Sequence, residues 1–299
     1  MNLEADPTNH TLRQLTPRVW WMNPVSTTDR PAIGVVIGEQ GTLVIEAGNS
    51  AAHVQLLQAE LERHNLPAPS FVALTHWHWD HIFGGVAFAA PLLAGAETQR
   101  IVRRLASFDW SDAALDQRVA DGREIVFCRD MLKLELPDPA ARIVRVPEIG
   151  FVGELTLDLG GAICRLAPLG GDHSPDGILV HLPQERVAFI GDAIYDDIYH
   201  GPRRLTTAGL FPLLDALLAL DVDYYIAGHH PQPIRRAELE AEAVAMRRIG
   251  ALVERCGDRR EAIMEALPVA VEAPPSERHT ELVDAFLAGL RLPHVGSPL

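Results

Sequence analysis

Short apolar runs alternate with longer amphipathic segments along most of the chain. Runs rich in Val, Ile, Leu, Phe and Tyr predict strands at residues 18–22, 33–37, 42–45, 71–74, 155–159, 162–167, 178–182, 187–190 and 222–227. Apolar residues three or four positions apart predict helices at 50–64, 97–108, 111–121, 210–220, 237–256, 262–267 and 280–290. The polar residues 1–16 are expected to be irregular. Strands that alternate with helices are typical of the α/β class.

The helix predicted at residues 50–64 carries clear start and face signals. Ser50 is a preferred N-cap residue, and apolar side chains recur behind it at helical spacing, at Val54, Leu57 and Leu61. We therefore expect this helix to pack on a sheet. His53 and His64 are expected to be exposed rather than to act as ligands.

The pattern divides the chain into a main domain at residues 1–235 and a helical extension at 236–299, packed on it. Residues 96–140 form a helical insertion that either shapes a substrate pocket or covers a satellite core. Its candidate pocket walls are Phe108, Trp110, Phe127 and Met131. One apolar stripe on the extension is consistent with packing on the main body or with a homodimer contact; it holds Leu239, Met246, Ile249, Val253 and Cys256.

Composition narrows the class of partner. Of the 299 residues, 47% are hydrophobic and 22% are charged, as in a globular protein. The net charge is −14 and no block of Lys and Arg is present, which argues against a general nucleic-acid binder. No apolar run is long enough to span a membrane. We expect a small-molecule substrate, with neither nucleic acid nor membrane as partner.

The cysteines and the N-terminus bear on the compartment. Cys128, Cys164 and Cys256 are odd in number and far apart, which indicates reduced thiols rather than a disulfide framework. Cys164 is expected to be a packed strand residue. Residues 1–6 have neither the basic nor the apolar region of a signal peptide. The sequence therefore predicts a cytoplasmic protein.

The candidate chemistry is concentrated after the strand at residues 71–74. His76, His78, Asp80 and His81 lie within six residues, which is too much imidazole and carboxylate for an ordinary core segment. One ion cannot easily bind all four side chains, whereas two neighbouring ions can. This donor set suits zinc best, with manganese or iron as alternatives.

Further ligand-type residues follow later strands. His173 comes after the strand at 162–167, Asp192 after Gly191, and His229 after Gly228. His230 is the alternative to His229. A strand, a glycine and then a ligand-type side chain is thus a recurrent arrangement.

In these motifs the chain resembles the metallo-β-lactamase superfamily, over roughly residues 17–235. The resemblance implies a four-layer αββα sandwich of two mixed β-sheets flanked by helices. It implies that His76, His78 and His173 bind one metal and that Asp80, His81 and His229 bind a second. Asp192 would bridge the two. Glu46 stands where the family usually has an aspartate, either as an outer partner of a ligand or as an ordinary strand-end residue.

The resemblance also implies a reaction. Two metals about 3.5–4 Å apart share a water and lower its pKa toward neutrality, so we expect a dinuclear hydrolase of a small ester, lactone or thioester. Asp80 would orient the bridging hydroxide. Tyr195 lies at an offset similar to that of the tyrosine in the lactonase branch, where it donates to the substrate carbonyl; its alternative role is a pocket wall.

Two other functions remain open at this point. One is a mononuclear iron enzyme similar to persulfide dioxygenases, and the other is a metal-stabilised binding protein without turnover. The flavodiiron branch has a glutamate in place of His78, and the glutathione-binding motif of the glyoxalase II branch is absent from residues 195–204. Both branches therefore fit the sequence less well than an ester or lactone hydrolase does.

Overall fold

The computed structural model describes residues 10–291. The strands are β1 Leu12–Gln14, β2 Val19–Met22, β3 Ile33–Ile37, β4 Thr42–Ile45, β5 Phe71–Ala73, β6 Leu92–Gly95, β7 Ile149–Phe151, β8 Leu155–Asp158, β9 Ile163–Pro168, β10 Ile178–Leu182, β11 Val187–Gly191, β12 Tyr224–Ala227 and β13 Ile234–Arg235. The α-helices are α1 Ala51–Arg63, α2 Trp79–Ile82, α3 Ala96–Leu105, α4 Asp112–Ala120, α5 Val126–Glu135, α6 Thr207–Leu218, α7 Arg236–Cys256, α8 Arg260–Val271 and α9 Glu277–Arg291.

The strands form two mixed sheets. The seven-stranded sheet runs in chain order from β1 to β7, antiparallel up to β4 and parallel from β4 to β7. The six-stranded sheet has the order β13-β12-β11-β10-β9-β8, and its β11 and β12 are parallel. The predicted α/β sandwich of two mixed sheets is confirmed.

The chain divides into two compact units. The first contains both sheets and helices α1–α5; it consists of residues up to Leu169, Asp176–Asp192 and Val222–Ile234. The second contains α6–α9; it consists of Gly170–Pro175, Ala193–Asp221 and the residues from Arg235 onward. Helix α6 therefore belongs with the C-terminal helices.

The inner faces of the two sheets form the core of the first unit. Val36, Leu43 and Ile45 contribute from one sheet, and Leu166 and Phe189 contribute from the other. Cys164 lies in the same cluster and is fully buried, as predicted for a packed strand residue. Burial of these apolar side chains provides the main stabilisation of the sandwich and fixes the strand ends that carry the site.

Helix α1 begins as predicted, but one prediction about its face is wrong. The Ser50 hydroxyl accepts a hydrogen bond from the His53 backbone N–H and caps the helix. His53 is fully buried rather than exposed. It precedes Leu57 by four residues, so it lies on the face that the apolar side chains define. His64, at the C-cap, is half-buried.

Several elements lie where the sequence shows no clear pattern. Strand β1 lies within the residues expected to be irregular, and β6 and β7 complete the parallel edge of the larger sheet. Helix α5 exposes apolar side chains, with Phe127 and Leu134 at least half accessible, which blurs its amphipathic pattern. Trp110, a candidate pocket wall, is instead buried with its ring against Phe83.

The apolar stripe of α7 is covered within the second unit. Helices α6, α8 and α9 pack around α7, and Gly250 lies at the contact with Phe211 and Phe286. Leu239, Met246, Ile249 and Val253 are buried there, and Cys256 is half-buried. Among residues 10–291, no helix has the combined length and apolar composition that crossing a membrane requires.

Candidate metal centre

Four strand ends of the first unit carry the candidate ligands. Strands β4 and β5 are parallel neighbours, and they lead into Glu46 and into the segment that begins at Thr75. Strands β11 and β12 are parallel in the other sheet, and they lead into Asp192 and His229. Parallel strands bring their carboxyl ends to one edge of a sheet, so each pair delivers its side chains side by side.

Two glycines before these ligands are required by close approach. A Cβ on Gly228 would lie 2.1 Å from Asp192 Oδ1 and 3.0 Å from His81 Cε1. A Cβ on Gly191, which has a φ of +50°, would lie 2.4 Å from Thr75 Oγ1. The strand–glycine–ligand pattern of the sequence thus has a steric cause: only a residue without a side chain lets the loops meet this closely.

Two carboxylates and two imidazoles converge in what we call the acidic cluster, consisting of Asp80, His81, Asp192 and His229. Asp80 Oδ2 lies 3.1 Å from His81 Nε2 and 3.0 Å from His229 Nε2. Asp192 Oδ2 lies 3.5 Å and 3.3 Å from the same two nitrogens. One ligand atom from each residue lies within 4.8 Å of the others, close enough for a single ion.

Burial and charge act against each other in this cluster. Burial alone would raise the pKa of Asp80, but the charge of His81 and the hydrogen bond from His229 outweigh it and hold that pKa well below its usual range. Burial would likewise lower the pKa of His81, yet the neighbouring carboxylates raise it well above the ordinary value. The buried carboxylates therefore require positive charge close to them, from protons on the imidazoles or from a cation.

Glu46 contacts this cluster from the opposite side of the His81 ring. Its Oε1 lies 3.2 Å from His81 Nδ1, while the Thr75 hydroxyl and backbone N–H both donate to its carboxylate. Its φ of 78° is uncommon for a residue with a side chain. Of the two interpretations of Glu46, this contact favours the outer partner of a ligand.

The His76 and His78 rings lie beside the cluster. The ring centroid of His76 is 4.5 Å from that of His78 and 4.1 Å from that of His81. His76 Nδ1 is 3.0 Å from Thr75 Oγ1, whose own proton goes to Glu46. His76 therefore donates from Nδ1, and its Nε2 carries the lone pair that a metal ion binds.

His173 and Tyr195 belong to the second unit. His173 Nδ1 lies 2.8 Å from the carbonyl oxygen of Asp196 and donates to it, which leaves the lone pair on Nε2. The Tyr195 ring packs edge-on against His173, with ring centroids 6.2 Å apart. The predicted roles of both residues at the metal centre stay predictions.

The structure separates the two histidines that the sequence left as alternatives. His229 lies in the acidic cluster, whereas His230 Nδ1 lies 2.6 Å from the carbonyl oxygen of Gln232. A further residue had no sequence signal: Asp29 Oδ1 lies 3.7 Å from His229 Nδ1. Burial, followed by repulsion from Asp80, raises the pKa of Asp29 to about 7.

The donor set fits divalent metal ions. Imidazole nitrogens and carboxylate oxygens are the ligands of zinc and also suit manganese and iron. His81 is fully buried, and within the described residues neither of its ring nitrogens makes a hydrogen bond of good geometry, although carboxylate oxygens lie near both. A buried polar ring of this kind needs a ligand or a proton on each side.

Comparisons with known proteins point to one family. A family model described as "Metallo-beta-lactamase superfamily" matches residues 27–229. No curated protein matches the chain. A metallo-beta-lactamase from Pontibacter korlensis is 18% identical with a TM-score of 0.51, and the match covers 77% of this chain and 94% of that one.

Two further solved structures match more of the chain. A metallo-beta-lactamase family protein from Thermus thermophilus is 18% identical, with a TM-score of 0.58 and coverage of 95% of this chain and 98% of that one. The stereoselective inverting sec-alkylsulfatase Pisa1 from Pseudomonas sp. is 13% identical with a TM-score of 0.63. That match covers 94% of this chain and 50% of the sulfatase. At these identities the likenesses show the fold alone.

Proposed function

Because the chain belongs to the metallo-beta-lactamase superfamily, we propose that it is a dinuclear metal-dependent hydrolase of a small ester, lactone or thioester. The observation that carries this proposal is the acidic cluster, in which two carboxylates and two imidazoles converge within the reach of one ion. The proposed metal is zinc, with manganese or iron as alternatives.

Each proposed ligand has a stated task. Asp80, His81 and His229 would hold one cation, His76 and His78 would hold the other, and Asp192 would be a ligand of both. His173 is proposed as the third ligand of the His76 and His78 site on the strength of its sequence motif. The preorganised Nδ1 contacts of His76 and His173 support this assignment, because they leave Nε2 as the basic nitrogen.

When bound, a pair of divalent cations supplies a nucleophilic water at neutral pH and stabilises negative charge that develops on oxygen. Asp80 Oδ2 lies 3.1 Å from His81 Nε2 and 3.0 Å from His229 Nε2, and Asp80 is proposed to orient the attacking water. Tyr195 is proposed to donate its phenolic proton to the carbonyl oxygen of the substrate, where charge develops during attack. Asp192 offsets part of the cation charge, so that a negatively charged product can leave.

The setting of the enzyme is proposed from composition. Widely spaced thiols and the acidic net charge of −14 support a cytoplasmic enzyme with a small substrate and no nucleic-acid partner. A homodimer stays a prediction. The apolar stripe of α7 does not support it, because helices of the same chain already cover that stripe. Light scattering of the purified protein measures its oligomeric state directly.

A substrate panel on metal-loaded protein tests the function. We expect about two equivalents of metal per chain and hydrolysis of a lactone, carboxylic ester or thioester. His76→Ala and Asp192→Ala should remove this activity, while Asp223→Ala, at an exposed carboxylate paired with Arg186, should retain it. The panel also holds a phosphodiester, a β-lactam and a secondary alkyl sulfate, the last because of the substrate class in the Pseudomonas protein's name.

The same panel decides between the alternatives. One iron per chain with oxygen uptake on a persulfide would replace the proposal with a dioxygenase. Two metals per chain with no hydrolysis of any compound would contradict it in favour of a metal-stabilised binding protein.

A further inference from the structure

We infer that Asp29 is a positioning residue for the metal centre, holding the His229 imidazole with Nε2 directed into the acidic cluster. The inference deepens the proposed function and rests on the second cation site proposed there. Asp29 lies at the end of a short 3₁₀ helix, Ser26–Thr28, in a loop of the first unit that no sequence motif marks.

The two nitrogens of His229 face different carboxylates. Nε2 lies 3.0 Å from Asp80 and 3.3 Å from Asp192, the two acidic ligands of the cluster. Nδ1, on the other side of the ring, lies 3.7 Å from Asp29 Oδ1. Asp29 therefore lies on the side of the ring that a cation bound at Nε2 does not occupy, which suits an outer partner rather than a ligand.

Such a partner has a defined chemical effect. When ionised, a carboxylate beside Nδ1 keeps the proton on that nitrogen, so the lone pair stays on Nε2 and the ring becomes more basic toward a metal. The 3.7 Å separation is an ion-pair distance and exceeds a direct hydrogen bond.

The loop that carries Asp29 is held on three sides. Within the loop, the backbones of Val25 and Arg30 pair with each other. The first attachment to another segment is the hydrogen bond from the Ala32 N–H to the carbonyl oxygen of Gly228, the residue before His229, at 2.7 Å. The second is the hydrogen bond from the Asn49 side chain to the carbonyl oxygen of Thr28 at 2.8 Å.

A buried ion pair provides the third attachment. Arg30, next to Asp29, binds Glu135 of helix α5 at 2.7 Å, and the Glu135 side chain is only 3% exposed. Ser50 donates to the same carboxylate. The position of Asp29 relative to His229 is thus fixed by contacts on both sides of the loop, which preorganisation of a ligand requires.

No local structural role accounts for the Asp29 side chain. Its backbone is left-handed, with φ 55° and ψ 40°, a conformation that glycine adopts without strain and asparagine tolerates. Within the part of the chain that the structure describes, the carboxylate makes no hydrogen bond, and its ion-pair partner is His229. The side chain therefore acts on His229 and not on the turn.

Two variants test the inference without disturbing the turn. Asp29→Asn keeps the size and tolerance of the left-handed conformation but removes the charge, and Asp29→Gly removes the side chain at the same backbone conformation. The matched control is Glu272→Gly, which replaces another acidic residue with φ 56° whose side chain is 72% exposed. Zinc titration of each protein measures the affinity of the acidic cluster and that of the His76 and His78 site separately.

We expect the zinc affinity of the acidic cluster to fall by about 10- to 100-fold in both Asp29 variants, with the larger loss in Asp29→Gly. The zinc affinity of the His76 and His78 site and the thermal midpoint of the zinc-free protein should match those of the wild type. Glu272→Gly should bind zinc with wild-type affinity at both sites. Histidine-selective ¹⁵N spectra should show that the Nδ1–H tautomer of His229 is less populated in Asp29→Gly.

The contrary results are distinct. The inference would be overturned if the acidic cluster kept its wild-type zinc affinity in both Asp29 variants. It would also be overturned by an equal loss of affinity at both zinc sites together with a lower thermal midpoint. A wild-type protein that binds two zinc ions but hydrolyses nothing would overturn the proposed function alone. A wild-type protein that binds fewer than two would overturn both.

Discussion

Two fully buried histidines of the first unit lie in opposite environments. Carboxylates surround His81: Asp80 and Asp192 face Nε2, and Glu46 faces Nδ1. The other, His53, lies with His10 in what we call the histidine pair, with ring centroids 5.0 Å apart. Neither ring nitrogen of His53 makes a hydrogen bond to any residue from 10 to 291.

The difference shows that burial alone does not decide in which direction the pKa of a histidine shifts. Burial is the largest single effect on the pKa of both rings and lowers it in each, and in His53 the pKa lies well below the ordinary value. In His81 the surrounding carboxylates reverse the direction and raise the pKa. The acidic cluster therefore attracts a proton or a cation, whereas the histidine pair stays neutral, with the Nδ1 of His10 donating to the carbonyl oxygen of Asn23.

Making the same substitution in both regions should give the largest contrast. His81→Leu removes a proposed ligand and leaves two carboxylates without their counter-charge, so hydrolysis should fall by more than about 100-fold, exceeding the loss typical for outer partners. His53→Leu should leave metal content and hydrolysis unchanged and the free energy of unfolding within about 1 kcal/mol of wild type, because no hydrogen bond is lost.

Elemental analysis, steady-state kinetics and denaturant unfolding measure these effects. Equal loss of metal in the two variants would erase the distinction between the two regions.

Glu46→Gln should sharpen the comparison by removing one carboxylate from around His81. The amide keeps the volume and an acceptor oxygen but not the charge beside Nδ1, so we expect metal affinity to fall by about 10- to 100-fold. Competition with a chromophoric chelator measures the change. Exposed Glu39→Gln, which loses only a surface ion pair with Arg18, is the matched control. If Glu46→Gln bound metal like this control, Glu46 would be an ordinary strand-end residue.

The smallest effect concerns pH and the histidine pair. Burial, then the charge of Arg30, lowers the pKa of His10 from 6.5 to about 4. Because the folded-state pKa is depressed, His10 contributes stability above pH 6.5 that is lost as the pH falls toward 4. In His10→Gln the free energy of unfolding of the metal-free protein should therefore decline less steeply over this range. Parallel curves for the two proteins would contradict the neutral, packed state of the histidine pair.

The parts of the fold that were predictable are those with local signals. The bounds of β3, β4 and β10 match the apolar runs that predicted them, and Ser50 caps α1 as expected. The convergence of the acidic cluster was predictable because each proposed ligand follows a strand, and the glycines before Asp192 and His229 indicate close approach. These signals depend on a few neighbouring residues only.

Other features depend on contacts between distant segments. Asp29 lies in a loop without a pattern, and only the fold brings it to His229. The burial of His53 could have been found, since it shares the spacing of Leu57 and Leu61, but its polarity suggested an exposed position. Helix α5 was missed because its exposed apolar side chains obscure the helical period.

Anomalous diffraction at the zinc edge, from crystals of the zinc-loaded protein, tests whether the acidic cluster binds a cation and the histidine pair does not. We expect an anomalous peak about 2.0–2.2 Å from His81 Nε2 and from carboxylate oxygens of Asp80 and Asp192. No peak should lie at His10 and His53. Zinc bound at the histidine pair, or no zinc at the acidic cluster, would contradict the claim that carboxylates and not burial define the site.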